Sequence, residues 1–308
     1  MELILHHYPT SNFAEKVRLT LGLKGLEWHS VHIPRTAPKP DYTPLTAGYR
    51  RTPALQIGAD IYCDTTLICD WLEQQFPTPT LFPGPNPERT EALSRTLTDW
   101  AEQTLLWPIA LSVTGEDPSQ LGDEFHQDRA ALHGKPTPTV QQVQRAAQRN
   151  LPIARAHVAT VEAMLTHDAP FVIGDAPSLA DISLYHPLWF THRINDAQNL
   201  LSNRPRIRAW MARIAALGHG VAVESTPQRA LDVALATQPE PADERNVDAD
   251  SGYTFGEPVQ VLPLTEVSPA SGTLVRISTT EVVIRTHSER TGDVHIHFPR
   301  LGYRVRRI

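Results

Sequence analysis

Between residues 2 and 76 the hydrophobic period switches repeatedly. ELILHH is a short apolar run, AEKVRLTLGLKG keeps its apolar residues on one helical face and stops at Gly25, and WHSVHI is apolar again. After a proline-rich loop, PALQIG and DIYCD read as two strands of a hairpin, and a helix is expected from Thr65 to Phe76. The order β, α, β, long loop, hairpin, α predicts a compact α/β layer over residues 1–83. From residue 87 to 237 the period is helical almost throughout, with Trp100, Leu105, Ile153, Val161, Leu165, Leu184, Trp210 and Ile214 at core spacing, so an all-helical domain is expected there. Residues 238–256 begin QPEPADERNVDADSG, acidic and without apolar period, and read as a linker. Over residues 257–308, EPVQVLPL, GTLVRIST, TEVVIRTH, DVHIHFP and YRVRRI are short, rich in Val and Ile, and parted by Gly, Ser, Asp and Pro, which predicts a small antiparallel sheet or barrel. No internal repeat is visible.

Composition narrows the function. A chain of 308 residues, 41% apolar and 20% charged, can bury a large core and divides into two or three domains. No apolar run approaches the ~20 residues needed to span a bilayer, and no basic leader precedes the first strand, so a cytoplasmic protein without a membrane partner is expected. Lys and Arg number 28 against 34 Asp and Glu, a net charge of −6 that offers phosphate backbones no general attraction; no nucleic-acid partner is expected. Cys63 and Cys69 form neither a disulfide framework nor a CxxC pair and are expected to be buried thiols.

Three local signals carry candidate chemistry. YPTSNFAEKVRL sets Ser11 and Asn12 before an amphipathic helix, where either can cap the free N–H groups or help that helix end hold an anion such as a thiolate. RRTPALQIG puts Pro53 just before a strand, as an edge-strand start or a cis bond. CDTTLICDWLE opens a second helix with Asp64 and Thr65. Each has a purely local explanation. Their order is what a thioredoxin-like βαβ–ββα layout brings to one edge.

With these motifs the chain resembles a cytosolic glutathione transferase of the serine- or cysteine-type branch related to the omega class, up to about residue 235. The resemblance implies a thioredoxin-like α/β N-terminal domain, an all-α C-terminal domain, glutathione as co-substrate, a small electrophilic substrate and a homodimer. YPTSNFAEKV resembles the family's Y-x-x-S/C-P-F-A-x-K-V, which places Ser11 at the catalytic hydroxyl and Phe13 among the glutathione contacts. Thr52 and Pro53 match the cis-proline dipeptide that pairs with the cysteinyl backbone, and Asp64 and Thr65 match the Glu/Asp-Ser pair for the γ-glutamyl ammonium and carboxylate. FVIGDAPSLADISLY resembles the capping-box helix, with Ser178 as N-cap and Asp181 three residues on, a structural motif. Asn12 stands where the branch has proline, and Asp64 is one methylene shorter than Glu. In the loop RTAPKPDYTPLTAGYRR, Arg35, Lys39, Arg50 or Arg51 can reach the glycyl carboxylate. Trp100, Trp107, His186, Trp189 and Phe190 are candidates to line the second substrate's pocket, against core packing as the simpler use. The implied reaction is thiolate attack on an electrophile, by conjugation or by glutathione-dependent isomerisation or cleavage. Serine argues against disulfide exchange, because a hydroxyl forms no mixed disulfide. The alternative is a non-catalytic scaffold whose β module binds a partner.

Outside these motifs, His295 and His297 in DVHIHF share one strand face, but two ligands without a third make no site, so no metal is assigned. His6 and His7 fall on opposite faces. Arg300, Arg304, Arg306 and Arg307 give the last strand a basic edge, suited to solubility or to a partner. About fifty residues bury little surface alone, so the β module is expected to pack on the helical domain, with the acidic segment as a tether; the competing picture is an independent module on a mobile linker.

Overall fold

The computed structural model describes residues 2–166, 169–193 and 200–308. In chain order, β1 (Ile4–His7), α1 (Asn12–Leu23), β2 (Glu27–His32), the single turn α2 (Thr43–Thr46), β3 (Ala54–Ile57), β4 (Asp60–Cys63) and α3 (Thr65–Gln75) build the α/β layer. Helices α4 (Pro87–Trp100), α5 (Leu106–Thr114), α6 (Asp123–Leu132), α7 (Val140–Met164), α8 (Leu179–Trp189) and α9 (Pro205–Ala215) follow, and a π-helical turn at Ala101–Leu105 joins α4 to α5. The chain then returns through β5 (Val221–Ser225) and α10 (Pro227–Ala236) before β6 (Pro258–Pro263), β7 (Ala270–Ile277), β8 (Glu281–Ser288), β9 (Gly292–Pro299) and β10 (Tyr303–Arg307).

These strands form one sheet in the order β10-β6-β7-β8-β9-β4-β3-β1-β2-β5. One face of its first part is covered by α1 and α3 through Val17, Leu21, Ile68 and Leu72. The other face shares a core with α10 and the C-terminal strands, where Ile4, Val31, Ile61, Leu231, Val261, Leu274, Ile284, Ile296 and Phe298 pack together. Helix α1 is buried from Ala14 to Leu21 on every side because it lies between this sheet and the helical unit. That unit's own core contains Leu105, Val161, Leu165, Leu184, Trp210 and Ile214, as the period predicts, whereas Ile153 is 47% exposed on the outer face of α7. Ser178 and Asp181 close the expected capping box of α8, and Asp181 also accepts from the Trp210 indole at 2.9 Å.

Two departures from the sequence reading concern the sheet. Strand β5 lies inside the stretch read as helical, and pairs in parallel with β2 from Glu27↔Val221 to Val31↔Ser225. Its approach requires Gly220, at φ +66°, where a Cβ would fall 2.2 Å from the Leu26 carbonyl oxygen. The β module does not pack chiefly on the helical domain. It extends the first sheet: β9 runs parallel to β4 with Asp60↔His295, Ile61↔Ile296 and Tyr62↔His297 in register. Its contact with the helical unit runs through the β6–β7 loop, where Val267 N–H donates to the Leu132 carbonyl at 3.2 Å and His133 Nδ1 to the Thr265 carbonyl at 2.9 Å. The physical reason is the edge of β4, whose unpaired N–H and C=O groups a parallel partner satisfies. The acidic segment lies on this seam, with Glu240 N–H donating to Asp60 Oδ2 at 3.0 Å and Val247 bridged to Ile277.

Candidate active site

The sheet register aligns His6, Ala54 and Cys63 across β1, β3 and β4. The next residues at that end of the three strands are the turn into α1, the Thr52–Pro53 dipeptide and Asp64. The sequence-predicted residues therefore gather at one sheet end, and the Thr52–Pro53 bond is cis.

Ser11 is the N-cap of α1, with φ −79° and ψ 121°, and its Oγ accepts from Ala14 N–H at 3.1 Å. Because Oγ is used as an acceptor, its own proton stays available for an incoming anion. Asn12 begins the helix proper and brings its Nδ2 to 3.5 Å from His186 Nδ1, while the Phe13 ring lies 5.1 Å from the His186 ring, so α8 of the helical unit closes over this helix end.

Below it lies a buried ionic group that sequence reasoning missed. Lys16 is fully buried and donates from Nζ to Glu102 Oε1 at 2.6 Å and to Thr65 Oγ1 at 3.2 Å. The π-helical turn explains how Glu102 reaches inward. Burial pushes the Glu102 carboxyl up, but the Lys16 ammonium and His186 outweigh it and hold the pKa at about 2. Burial lowers the His186 pKa against the pull of Glu102, whose Oε1 lies 3.6 Å from His186 Nε2; that nitrogen has no hydrogen-bond partner among the described residues. Since Thr65 Oγ1 accepts from Lys16, its hydroxyl proton points elsewhere and can serve a carboxylate. The motif's Lys was the available signal for this group; Glu102 had none.

Asp64 caps α3 through Oδ1, which accepts from Thr66 N–H at 3.0 Å, and does so at φ +77°, a conformation that costs a residue with a Cβ roughly 1–3 kcal/mol. Its Oδ2 accepts from the Tyr303 hydroxyl at 3.0 Å, and Tyr303 in turn accepts from Tyr49 at 2.7 Å. Strand β10 thus reaches the site from 239 residues away in sequence. Of the loop cations, Arg50 pairs with Asp128 and Arg51 with Glu266 at 2.6 Å, and Arg35 donates to the Leu121 carbonyl at 2.7 Å. Lys39 points at the site, donating to Thr52 Oγ1 and the Arg50 carbonyl, each at 3.1 Å. Burial, reinforced by Arg129 and Arg50 and opposed by Asp128, lowers its pKa to about 8.

Other expectations fare differently. Trp107 is 48% exposed and meets His133, and Trp100 meets His157, so neither joins His186 at this end of α1. Both cysteines are free and buried, and burial raises their pKa values, so neither supplies a ready thiolate.

Residues 5–80 match the family model "Glutathione S-transferase, N-terminal domain" and residues 142–213 match "Glutathione S-transferase, C-terminal domain". A GST-like protein from Pseudomonas syringae of known structure is 36% identical, with a TM-score of 0.79 over 100% of this chain and 99% of that one, the β module included. The chain belongs to the glutathione S-transferase family. Poplar glutathione transferase F1 shares the fold at 16% identity, with a TM-score of 0.53 over 70% of this chain and 92% of that one. Among curated proteins, a maleylpyruvate isomerase from a Ralstonia species is 32% identical over 82 residues, 26% of this chain and 39% of that protein. A pyrimidodiazepine synthase from Drosophila melanogaster is 33% identical over 75 residues, 23% of this chain and 30% of that protein. The match thus spans less than half the length of either relative.

Proposed function

We propose that the protein is a serine-type, omega-like glutathione-dependent transferase that activates the glutathione thiol for attack on a small electrophile. The observation that carries this reading is the convergence of Ser11, cis Thr52–Pro53 and the strained Asp64 at one sheet end, beside Thr65, whose hydroxyl oxygen accepts from Lys16. Asp64 takes the γ-glutamyl ammonium on lone pairs left free by Thr66 and Tyr303, Thr65 donates to the neighbouring carboxylate, the Thr52 backbone pairs with the cysteinyl unit, and Phe13 packs beside it. Lys39 takes the glycyl carboxylate, because Arg50 and Arg51 are already neutralised by carboxylates.

A free thiol with a pKa near 8.5 is only a few per cent ionised at neutral pH, and each unit of lowering is worth about 1.4 kcal/mol. The Ser11 O–H and the N-terminus of α1 stabilise the anion once the thiol proton has passed to solvent. The sulfur then forms a bond to an electrophilic carbon. In conjugation the leaving group departs with the electron pair of the broken bond. In isomerisation the thiolate adds to a conjugated double bond, rotation follows, and expulsion regenerates glutathione. The name of the Ralstonia relative supports the second course. A scaffold without turnover is the second reading, favoured by one observation: Tyr303 already occupies Asp64 Oδ2.

The test follows the ultraviolet absorbance of bound glutathione thiolate against pH. Ser11→Ala should raise the ionisation midpoint by about one unit, or ~1.4 kcal/mol, with a Kd that is unchanged at pH below the wild-type midpoint, where the thiol form binds. An unmoved midpoint removes Ser11 from the chemistry, and a wild-type midpoint equal to that of free glutathione favours the scaffold. A cytoplasmic homodimer goes with the catalytic reading; a monomer by light scattering at micromolar concentration would count against the dimer.

A further inference from the structure

The histidine pair of the last domain acquires its third donor from the parallel pairing of β9 with β4. Asp60 stands opposite His295 and Tyr62 opposite His297, so the odd-numbered histidines of β9 and Asp60 emerge on the same face of the sheet. His297 Nε2 lies 2.9 Å and His295 Nδ1 3.8 Å from Asp60 Oδ1, and the three donor atoms fall within 4.8 Å of one another. All three residues are buried, at 6%, 5% and 1% exposure for Asp60, His295 and His297. Metal–nitrogen and metal–oxygen bonds of 2.0–2.2 Å in a tetrahedral zinc site set donor atoms about 3.3 Å apart, the scale found here.

The surroundings are those of a ligand set. His297 Nδ1 faces Glu281 Oε1 at 2.7 Å, which would fix the tautomer that leaves Nε2 as the donor to a metal, and Tyr62 stacks on the same ring at 4.3 Å. Asp60 Oδ2 is taken by Glu240 N–H, leaving Oδ1 for a single bond. Arg276 donates to Glu281 Oε2 at 3.1 Å and neutralises that outer carboxylate. An ion pair between Asp60 and His297 alone would account for two of the three residues. His295 aims Nδ1 at the same oxygen from 3.8 Å, beyond hydrogen-bond reach, and its side chain makes no hydrogen bond among the described residues.

We propose that Asp60, His295 and His297 bind one divalent transition-metal ion of the zinc type, clasping the C-terminal strands to the thioredoxin-like domain. Two imidazoles and one carboxylate suit zinc, cobalt or nickel; calcium and magnesium require more oxygens, and copper(I) prefers sulfur. The site lies at the opposite end of β4 from Asp64 and is separate from the proposed glutathione site.

The experiment uses the full chain, stripped with chelator, dialysed and titrated with zinc by calorimetry and with cobalt by visible absorbance. One ion per chain is expected, with cobalt bands of four- or five-coordinate intensity. Glu281→Gln should weaken binding by about 10–100-fold and His295→Ala by at least that much, as outer partner and direct ligand. The melting temperature of stripped His295→Ala should match that of stripped wild type, which separates lost binding from lost folding. No stoichiometric binding at micromolar zinc overturns the proposal. So does binding unaffected by His295→Ala, which would leave His297 as an imidazolium held between Asp60 and Glu281.

Discussion

Lys39 shows how a single buried side chain carries a test at the residue scale. Its ammonium must be protonated to hold a glycyl carboxylate, and in the free protein burial brings its pKa down to about 8. Below that value the charge is present and binding is strongest; above it, deprotonation competes and affinity falls by up to tenfold per pH unit. Glutathione's own ionisations are common to wild type and Lys39→Met, so the ratio of their affinities isolates Lys39. Measured by calorimetry from about pH 7 to about pH 9, that ratio should shrink several-fold; a constant ratio assigns the carboxylate to another cation. At this scale the helix caps were legible: Ser11 and Asp64 in the candidate site and Ser178 in the helical unit occupy N-cap positions that residue type and local spacing report directly. Glu102 was not, because its inward turn depends on a π-helical irregularity that no period reveals.

At the scale of elements, β10 links the added module to the site. The Tyr49–Tyr303–Asp64 chain holds one carboxylate oxygen while Thr66 holds the other. Tyr303→Phe keeps the ring in the core beside Phe298 but leaves Tyr49 and Asp64 without that hydroxyl. We expect a loss of about 1–2 kcal/mol in stability by denaturant titration, and a several-fold weaker glutathione affinity with an unchanged thiol midpoint. Equal affinity would show that Asp64 is positioned by its helix cap alone. This link was invisible in sequence, since β6, β7, β8 and β9 lie between β10 and β4 in the sheet order and the two residues meet only in the tertiary fold. Strand β5 escaped for a different reason: VAVES is a largely exposed edge strand with no buried alternate face to impose a period.

For the whole molecule, the C-terminal strands were readable as strands, and their docking was not. Alternation identifies a face to bury, but not the element that buries it, and here the open edge of β4 decided. Because these strands share a core with β1, β4 and α10, the module is not a body on a free tether. Limited proteolysis between Gln238 and Ser251 should therefore be slow, and nicked chains should stay together in native gel filtration. Rapid cleavage with release of a folded C-terminal fragment would restore the independent-module picture.

The central claim, a glutathione site at the sheet end holding Ser11, Thr52 and Asp64, is tested most directly by calorimetry of reduced glutathione with the full chain and with Asp64→Ala. One molecule should bind per wild-type chain. Losing the charge-assisted contact to the ammonium, about 1.5–3 kcal/mol, should weaken binding by about 10–150-fold in the variant. No binding to wild type, or affinities within a factor of two of each other, would contradict it.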